Sequence, residues 1–247
     1  GMVRPSDDKF KVSLEDQTLY RSGVGMLLYL VKHSRPDIAN VVRELSKVMD
    51  GATMAAMKEM KRVIKFVIDT KHLGLKIEPT TPDNDKMWDL VIYCDSDWAG
   101  DKDTRISVAG FIVYLMGAPI SWKSKAQRGV TLSSSEAEFV ALSEAAKEIK
   151  FVVQVLISMG IPVRLPVICR VDNIGAIFMA ENVSTSQRTK HIDTRYHFVR
   201  EFVEEGFIKI IFVRTKENRS DGFTKNVTGE IYDAHVETFM AGKTYLN

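Results

Sequence analysis

"LVIYCDSDWAGDKD", residues 90–103, decides how this chain is read. An apolar run of strand character ends in two aspartates one residue apart, Asp95 and Asp97, and then breaks at Gly100 into a polar turn. Three readings are open for it. It can be a variant of the tyrosine-and-two-aspartate hairpin of a polymerase, the first metal-binding carboxylate of a nuclease, or a strand end that prefers water.

The elements downstream narrow the choice. "WDLVIYCD" (88–95) reads as a buried strand, and "ISVAGFIVYLM" (106–116) and "APISWKSK" (118–125) follow as a hairpin about Gly117. A long helix is expected from about Ser134 to Met159, closed by Gly160. "LPVICRVD" (165–172) is a fourth strand, "NIGAIFMAEN" a short helix, "KHIDTRYHFVREFVEEG" another helix, and "FIKIIFVRT" (207–215) a fifth strand. Helical segments are expected at "NRSDGFTKN" and "YDAHVETFM". Three strands, helix, strand, helix, strand, helix is an α/β pattern with a five-stranded mixed sheet flanked by helices.

Upstream, residues 17–71 read as three helices, with Pro36 in the first turn of the second and Gly51 as its stop. Met54, Met57 and Met60 lie three apart and are expected as gap-filling core. The organisation expected is a leader over 1–16, a helical region over 17–79, a linker over 80–87 around "TTPDNDK", the α/β domain over 88–226 and a helical tail over 227–247. Gly1 before Met2 is read as an expression remnant.

Composition excludes little. With 247 residues, 45% hydrophobic and 27% charged, the chain can bury a real core. No apolar stretch approaches the ~20 residues of a membrane span, so no membrane is expected among its partners. Two cysteines, Cys94 and Cys169, point to buried thiols in a reducing compartment, and an intracellular location follows as the expectation. A net charge of +2 does not by itself announce nucleic acid.

Acidic residues recur at the ends of elements: Asp95 closes the first strand, Glu136 and Glu138 open the long helix, Asp172 closes the fourth strand, and Asp221 lies in the last turn-to-helix segment. Ligand sites of open α/β sheets gather outside the carboxyl ends of strands. Oxygen ligands suit Mg²⁺ or Mn²⁺, and the lack of a Cys/His cluster argues against zinc. Two residues are about 200° around a helix, so Glu136 and Glu138 cannot share a face. Positions 138, 141, 142, 145, 149, 152 and 156 form the buried stripe, whereas 136, 143, 147, 150 and 154 form the wet face. Glu138 is therefore the ligand candidate, and Glu136, three residues after Ser133, the cap.

At "SDWAGDKDTRISVAGF", "ISWKSKAQ", "LSSSEAEFVALSEAAKE", "VDNIGAI", "RTKHIDTRYHFVRE" and "SDGFTK" the chain resembles the ribonuclease H domain of copia-type LTR retrotransposon polyproteins. "YRSGVGMLLYLVKHSRPDIA" and "KRVIKFVIDTKHLGL" resemble the helical thumb or connection end of the same family's reverse transcriptase. The resemblance implies a ribonuclease H-like fold and an endonuclease that cuts the RNA strand of RNA–DNA hybrids with two Mg²⁺ (or Mn²⁺). Its four acids fall on Asp95, Glu138, Asp172 and Asp221. In that mechanism Asp95 bridges both metals, Glu138 and Asp172 complete one site, and Asp221 helps hold the other. It also implies that the fingers and palm of the polymerase are absent from this chain. The natural setting would be a cytoplasmic virus-like particle or the nucleus.

Departures from the family pattern are informative. The final motif reads "SDGFTK", where Gly222 is expected to loosen the last helix. The loop before it, "TKENRSD", has no histidine, and His235 after it is a weak substitute. Asp97 is assigned to the turn and to an auxiliary role. Lys123, Lys125, Gln127, Arg128, Ser134, Asn173, Arg188 and Lys190 flank the acids in loops and are the expected hybrid-binding set, with Asn173 and Gln127 for hydroxyl or minor-groove contacts. His191 and His197, six apart, do not converge as a metal pair. Trp98 and Trp122 are expected to pack rather than to stack on bases. The rival readings are an impaired or domesticated domain that binds or tethers without cutting, and an integrase-like nuclease of the same superfamily.

Overall fold

The computed structural model describes residues 11–101, 104–181 and 190–242, the last stretch without the side chains at 190–193 and 196. The chain divides into two compact units, Gly1–Leu75 with Met240–Asn247, and Lys76–Phe239.

In the smaller unit, helices α1 (Leu14–His33), α2 (Ala39–Ser46) and α3 (Met54–Asp69) enclose one apolar core. α1 opens inside the expected leader, because the Ser13 side chain accepts from the Asp16 amide and caps it. Gly23 lets α1 close on α3, since the Met60 thioether lies where a Cβ would be. Met57 and Met60 are core as expected, but Met54 is exposed: it is the first residue after the Thr53 cap, where the helix has not yet reached the core. Inside the expected helical region lies a two-residue strand, β1 (Gly74–Leu75), paired antiparallel with β7 (Met240–Ala241). Residues 227–247 are thus divided between the units rather than forming one tail.

The larger unit is built on a five-stranded sheet of β2 (Leu90–Asp97), β3 (Val108–Leu115), β4 (Ala118–Ala126), β5 (Val167–Val171) and β6 (Ile208–Phe212), in the order β4-β3-β2-β5-β6. β2, β3 and β4 are antiparallel neighbours, whereas β5 and β6 continue in parallel from β2. This is the ribonuclease H-like arrangement that the sequence led one to expect. The β3–β4 hairpin turns on Met116 and Gly117, both at positive φ, which matches strand twist in a two-residue loop. The expected linker is tied down: Thr80 bonds the Met116 carbonyl, and Arg164 meets Asp83, Asp85 and Asp89.

Period-two alternation sorts β2 between two layers. Leu90, Ile92 and Cys94 join the core formed with α4 (Ser134–Ser158), α5 (Ile174–Glu181) and α6 (Lys190–Glu204). α4 buries the expected stripe but also Ser143, assigned to the wet face; its hydroxyl is satisfied by the Val140 carbonyl one turn back. The alternate set is covered by α7 (Asp221–Thr224) and α8 (Gly229–Phe239): Arg219 lies over the Tyr93 and Tyr114 rings, and Phe223 packs on Phe239. α7 approaches the sheet at Gly110, which pairs with Asp95 in the ladder; a Cβ there would lie 2.7 Å from Thr224 Cγ2 and 2.8 Å from Phe223 Cβ. Gly222, by contrast, would present a Cβ to open space.

Two glycine substitutions should therefore part company in urea unfolding. Gly110→Ala should cost about 1–3 kcal/mol by overpacking. Gly222→Ala should be neutral or stabilise by up to about 1 kcal/mol. Equal effects would mean that α7 does not rest on Gly110.

Candidate metal centre

Asp95, Glu138 and Asp172 come together at the carboxyl ends of β2 and β5 and the start of α4, each offering a carboxylate oxygen within 4.8 Å of the others. Local chemistry places them. Ser133 caps α4 by accepting from the Glu136 amide, and the Glu136 carboxylate reaches back to the Leu132 amide at 2.7 Å. With Glu136 spent on the cap, Glu138 points inward, where its Oε1 accepts from the Ser96 amide at 3.0 Å. Asp172 follows the last residue of β5, the strand parallel to β2.

The fourth acid arrives differently. Asp221 begins α7 and is buried, yet it is not one of the three converging carboxylates; it faces Lys225, whose Nζ lies 3.2 Å from Asp221 Oδ1 and 3.6 Å from Asp95 Oδ1. Thr224 donates its hydroxyl to the other Asp95 oxygen. Asn218, wholly buried, donates to the Cys94 carbonyl and accepts from Ser220, which fixes the turn before Asp221. Ser124 of β4 donates to the Phe223 carbonyl.

The electrostatics are those of anions taken out of water. Burial, then repulsion from Asp95 and Asp172, pushes the Glu138 carboxyl up to about 9. Burial raises Asp95 to about 8, although Lys225 pulls it down, and burial raises Asp221 as well. Burial opposes the charge of Lys225, but Asp95 and Asp221 outweigh it and hold the ammonium charged. Asp95 Oδ1 and Glu138 Oε2 are buried without a hydrogen bond, and Asp221 Oδ1, buried as well, meets the Lys225 ammonium. Buried anionic oxygens without donors suit a hard cation, and the all-carboxylate donor set suits Mg²⁺ or Mn²⁺.

Other expected residues fall in varied places. Asp97 lies in β2, not in a turn: the strand runs on to pair it with Val108, and its carboxylate sits over Gly100, where a Cβ would collide with it. It therefore shares the Asp95 side of the strand. His235 is buried in α8, with Nε2 on the Lys216 carbonyl, and so braces the loop before Asp221. Gln127 turns inward, its amide donating to the Ala137 carbonyl, and Asn173 caps α5 by accepting from the Ala176 amide and from Ser135. Trp98 is half exposed beside Asp97, tethered by its indole N–H to the Thr131 carbonyl, rather than packed inside. Ser134 is exposed at the start of α4. Arg188 lies outside the described residues, as do the side chains of Lys190 and His191.

Lys123, Lys125 and Arg128 gather with Lys147 of α4 and Arg195 of α6 around a cavity of about 200 Å³, where Glu144 is the one acid among the described residues and Phe111 and Val140 supply apolar wall. Sequence reasoning missed Lys147, Arg195, Thr224, Lys225 and Asn218. The spacing of Asp221 and Lys225, four apart, was the available signal for one of them.

No family model matches the chain. It is 37% identical over 212 residues, 86% of its length, to the retrovirus-related Pol polyprotein from transposon RE1 of Arabidopsis thaliana. It is 35% identical over 209 residues to the corresponding polyprotein from transposon TNT 1-94 of Nicotiana tabacum. The chain belongs to the copia-type retrotransposon Pol polyproteins. It spans 14% and 15% of the length of these two relatives. Among solved structures, LC11-RNase H1 in complex with RNA/DNA hybrid is similar at 15% identity and a TM-score of 0.41, over 55% of this chain and 93% of that one.

The raised carboxyls give a sign for pH dependence. Groups whose folded pKa lies above the unfolded value near 4 stabilise fully below it, and that stability is lost as pH rises through the folded pKa. In EDTA the melting temperature of this copia-type chain should fall between pH 6 and pH 9, in the range where Asp95 and Glu138 titrate. Asp95→Asn should flatten the fall. A flat wild-type profile would sink this account of the charges.

Proposed function

We propose that the chain carries the ribonuclease H activity of a retrotransposon reverse transcriptase, hydrolysing the RNA strand of an RNA–DNA hybrid with divalent cations. The observation that carries the reading is the convergence of Asp95, Glu138 and Asp172 from three separate elements, with buried oxygens that lack donors. The Pol polyprotein relatives support the same reading.

Asp95, Glu138 and Asp172 would hold one Mg²⁺ or Mn²⁺, and Asp95 with Asp221 a second. Such ions, when bound, acidify a water and offset charge on the phosphate and its leaving oxygen. The protein's own work is positional. Ser96 fixes one Glu138 oxygen and Thr224 one Asp95 oxygen, leaving the other oxygen of each free of hydrogen bonds. The basic cavity of Lys123, Lys125, Arg128, Lys147 and Arg195 offers charge for a backbone phosphate. The natural partner, on this reading, is the remainder of the reverse transcriptase.

Cleavage of a labelled hybrid in Mg²⁺ tests the proposal. Asp95→Asn and Glu138→Gln should each lose at least about 10³-fold in rate, the worth of several kcal/mol of charge stabilisation. Equal cutting by wild type and Asp95→Asn would defeat the assignment. Binding without turnover in any metal would favour a tethering domain instead. In the Asp95→Asn background, Arg195→Glu should weaken hybrid binding and lower the slope of log affinity against log salt by about 1. An unchanged slope would place the basic cavity outside the interface.

A further inference from the structure

The oxygen pair Asp95 Oδ1 and Asp221 Oδ1 has a feature that the other carboxylates of the site lack. Both oxygens are buried, and both lie within ion-pair distance of one ammonium, Lys225 Nζ, at 3.6 and 3.2 Å. The carboxylates are almost wholly enclosed, whereas a third of the lysine side chain reaches solvent. A surface i,i+4 pair would need none of this enclosure.

We propose that Lys225 is a built-in monovalent cation seated where Asp95 and Asp221 would share a divalent one, so that the two cation positions of this site are unequal. The position formed by Asp95, Glu138 and Asp172 meets the ammonium through Asp95 alone; among the described residues neither Glu138 nor Asp172 forms an ion pair, so it loads the more readily. Loading between Asp95 and Asp221 first requires the ammonium to leave. Its flexible, part-exposed stem allows that, where a rigid guanidinium fork would not. Without metal the same ammonium keeps α7 on the sheet by offsetting the repulsion of the two acids. Lys225 is thus a positioning residue. The inference takes the site to bind cations, as the nuclease reading does, but does not depend on which substrate is cut.

Mn²⁺ binding to the full chain, followed by electron paramagnetic resonance titration, separates the two ideas. Wild type should take one Mn²⁺ tightly and a second more weakly. Lys225→Met should tighten the second about tenfold, the scale of removing one nearby, partly screened charge. Lys225→Arg, which keeps the charge, should retain the weak second step. Melting curves guard against a folding defect: Lys225→Met should melt below wild type in EDTA and recover with Mn²⁺. The same second-step affinity in wild type and Lys225→Met would overturn the role of Lys225 and leave the nuclease reading standing. A Lys225→Met melting loss that Mn²⁺ does not repair would also overturn it, assigning the lysine to fold support alone. No Mn²⁺ bound by any of the three proteins would overturn both.

Discussion

Mutual repulsion among enclosed carboxylates governs the larger unit. Asp95, Glu138 and Asp221 are each almost wholly removed from water, and Asp172 stands beside them. Such an arrangement persists only where something opposes it. Here the opposition comes from the Ser96 amide and the Thr224 hydroxyl, each acting on one oxygen, and from the Lys225 ammonium, which acts on two. What they leave unmatched is chemical potential for a hard cation. The fold and the site are therefore two aspects of one electrostatic problem.

Solving it demands a close approach between elements far apart in sequence. Gly110 lies opposite Asp95 in the β2–β3 ladder and leaves room for Phe223 and Thr224 above it. Without that gap the Thr224 hydroxyl could not reach Asp95. Asn218 and Ser124 then fasten the same segment from two more sides, one through a β2 carbonyl and one from the edge strand. Each bond is modest by itself. Together they hold a segment too short to stay helical unaided.

Strand alternation and the 3.6-residue stripe of α4 were legible in the sequence, because each is a local pattern, and so was the placing of Asp172 just past β5. Glu138 could be told from Glu136 by angle alone, and the cap explains why. Asp97 misled because Gly100 looked like the end of the strand; in fact Gly100 is there to accommodate the Asp97 carboxylate, and pairing with Val108 carries the strand past Asp95. Gln127 and Asn173 read as free polar groups, yet each is engaged by a backbone partner at a helix start. Lys225, Arg195 and Asn218 acquire meaning only from tertiary neighbours, which spacing does not disclose. The "DSD" of the opening stretch thus divides three ways: Asp95 joins the carboxylate cluster, the Ser96 amide grips Glu138, and Asp97 lines the Asp95 side beyond.

The Ser96 contact carries one more implication. Because the Ser96 backbone N–H holds Glu138, the contact depends on the phase of the strand. A slip of β2 by a single residue would put the amide out of reach and turn Asp95 into the apolar layer beside Cys169. An insertion or deletion within this strand would therefore undo two placements at once, the Asp95 carboxylate and the amide that grips Glu138.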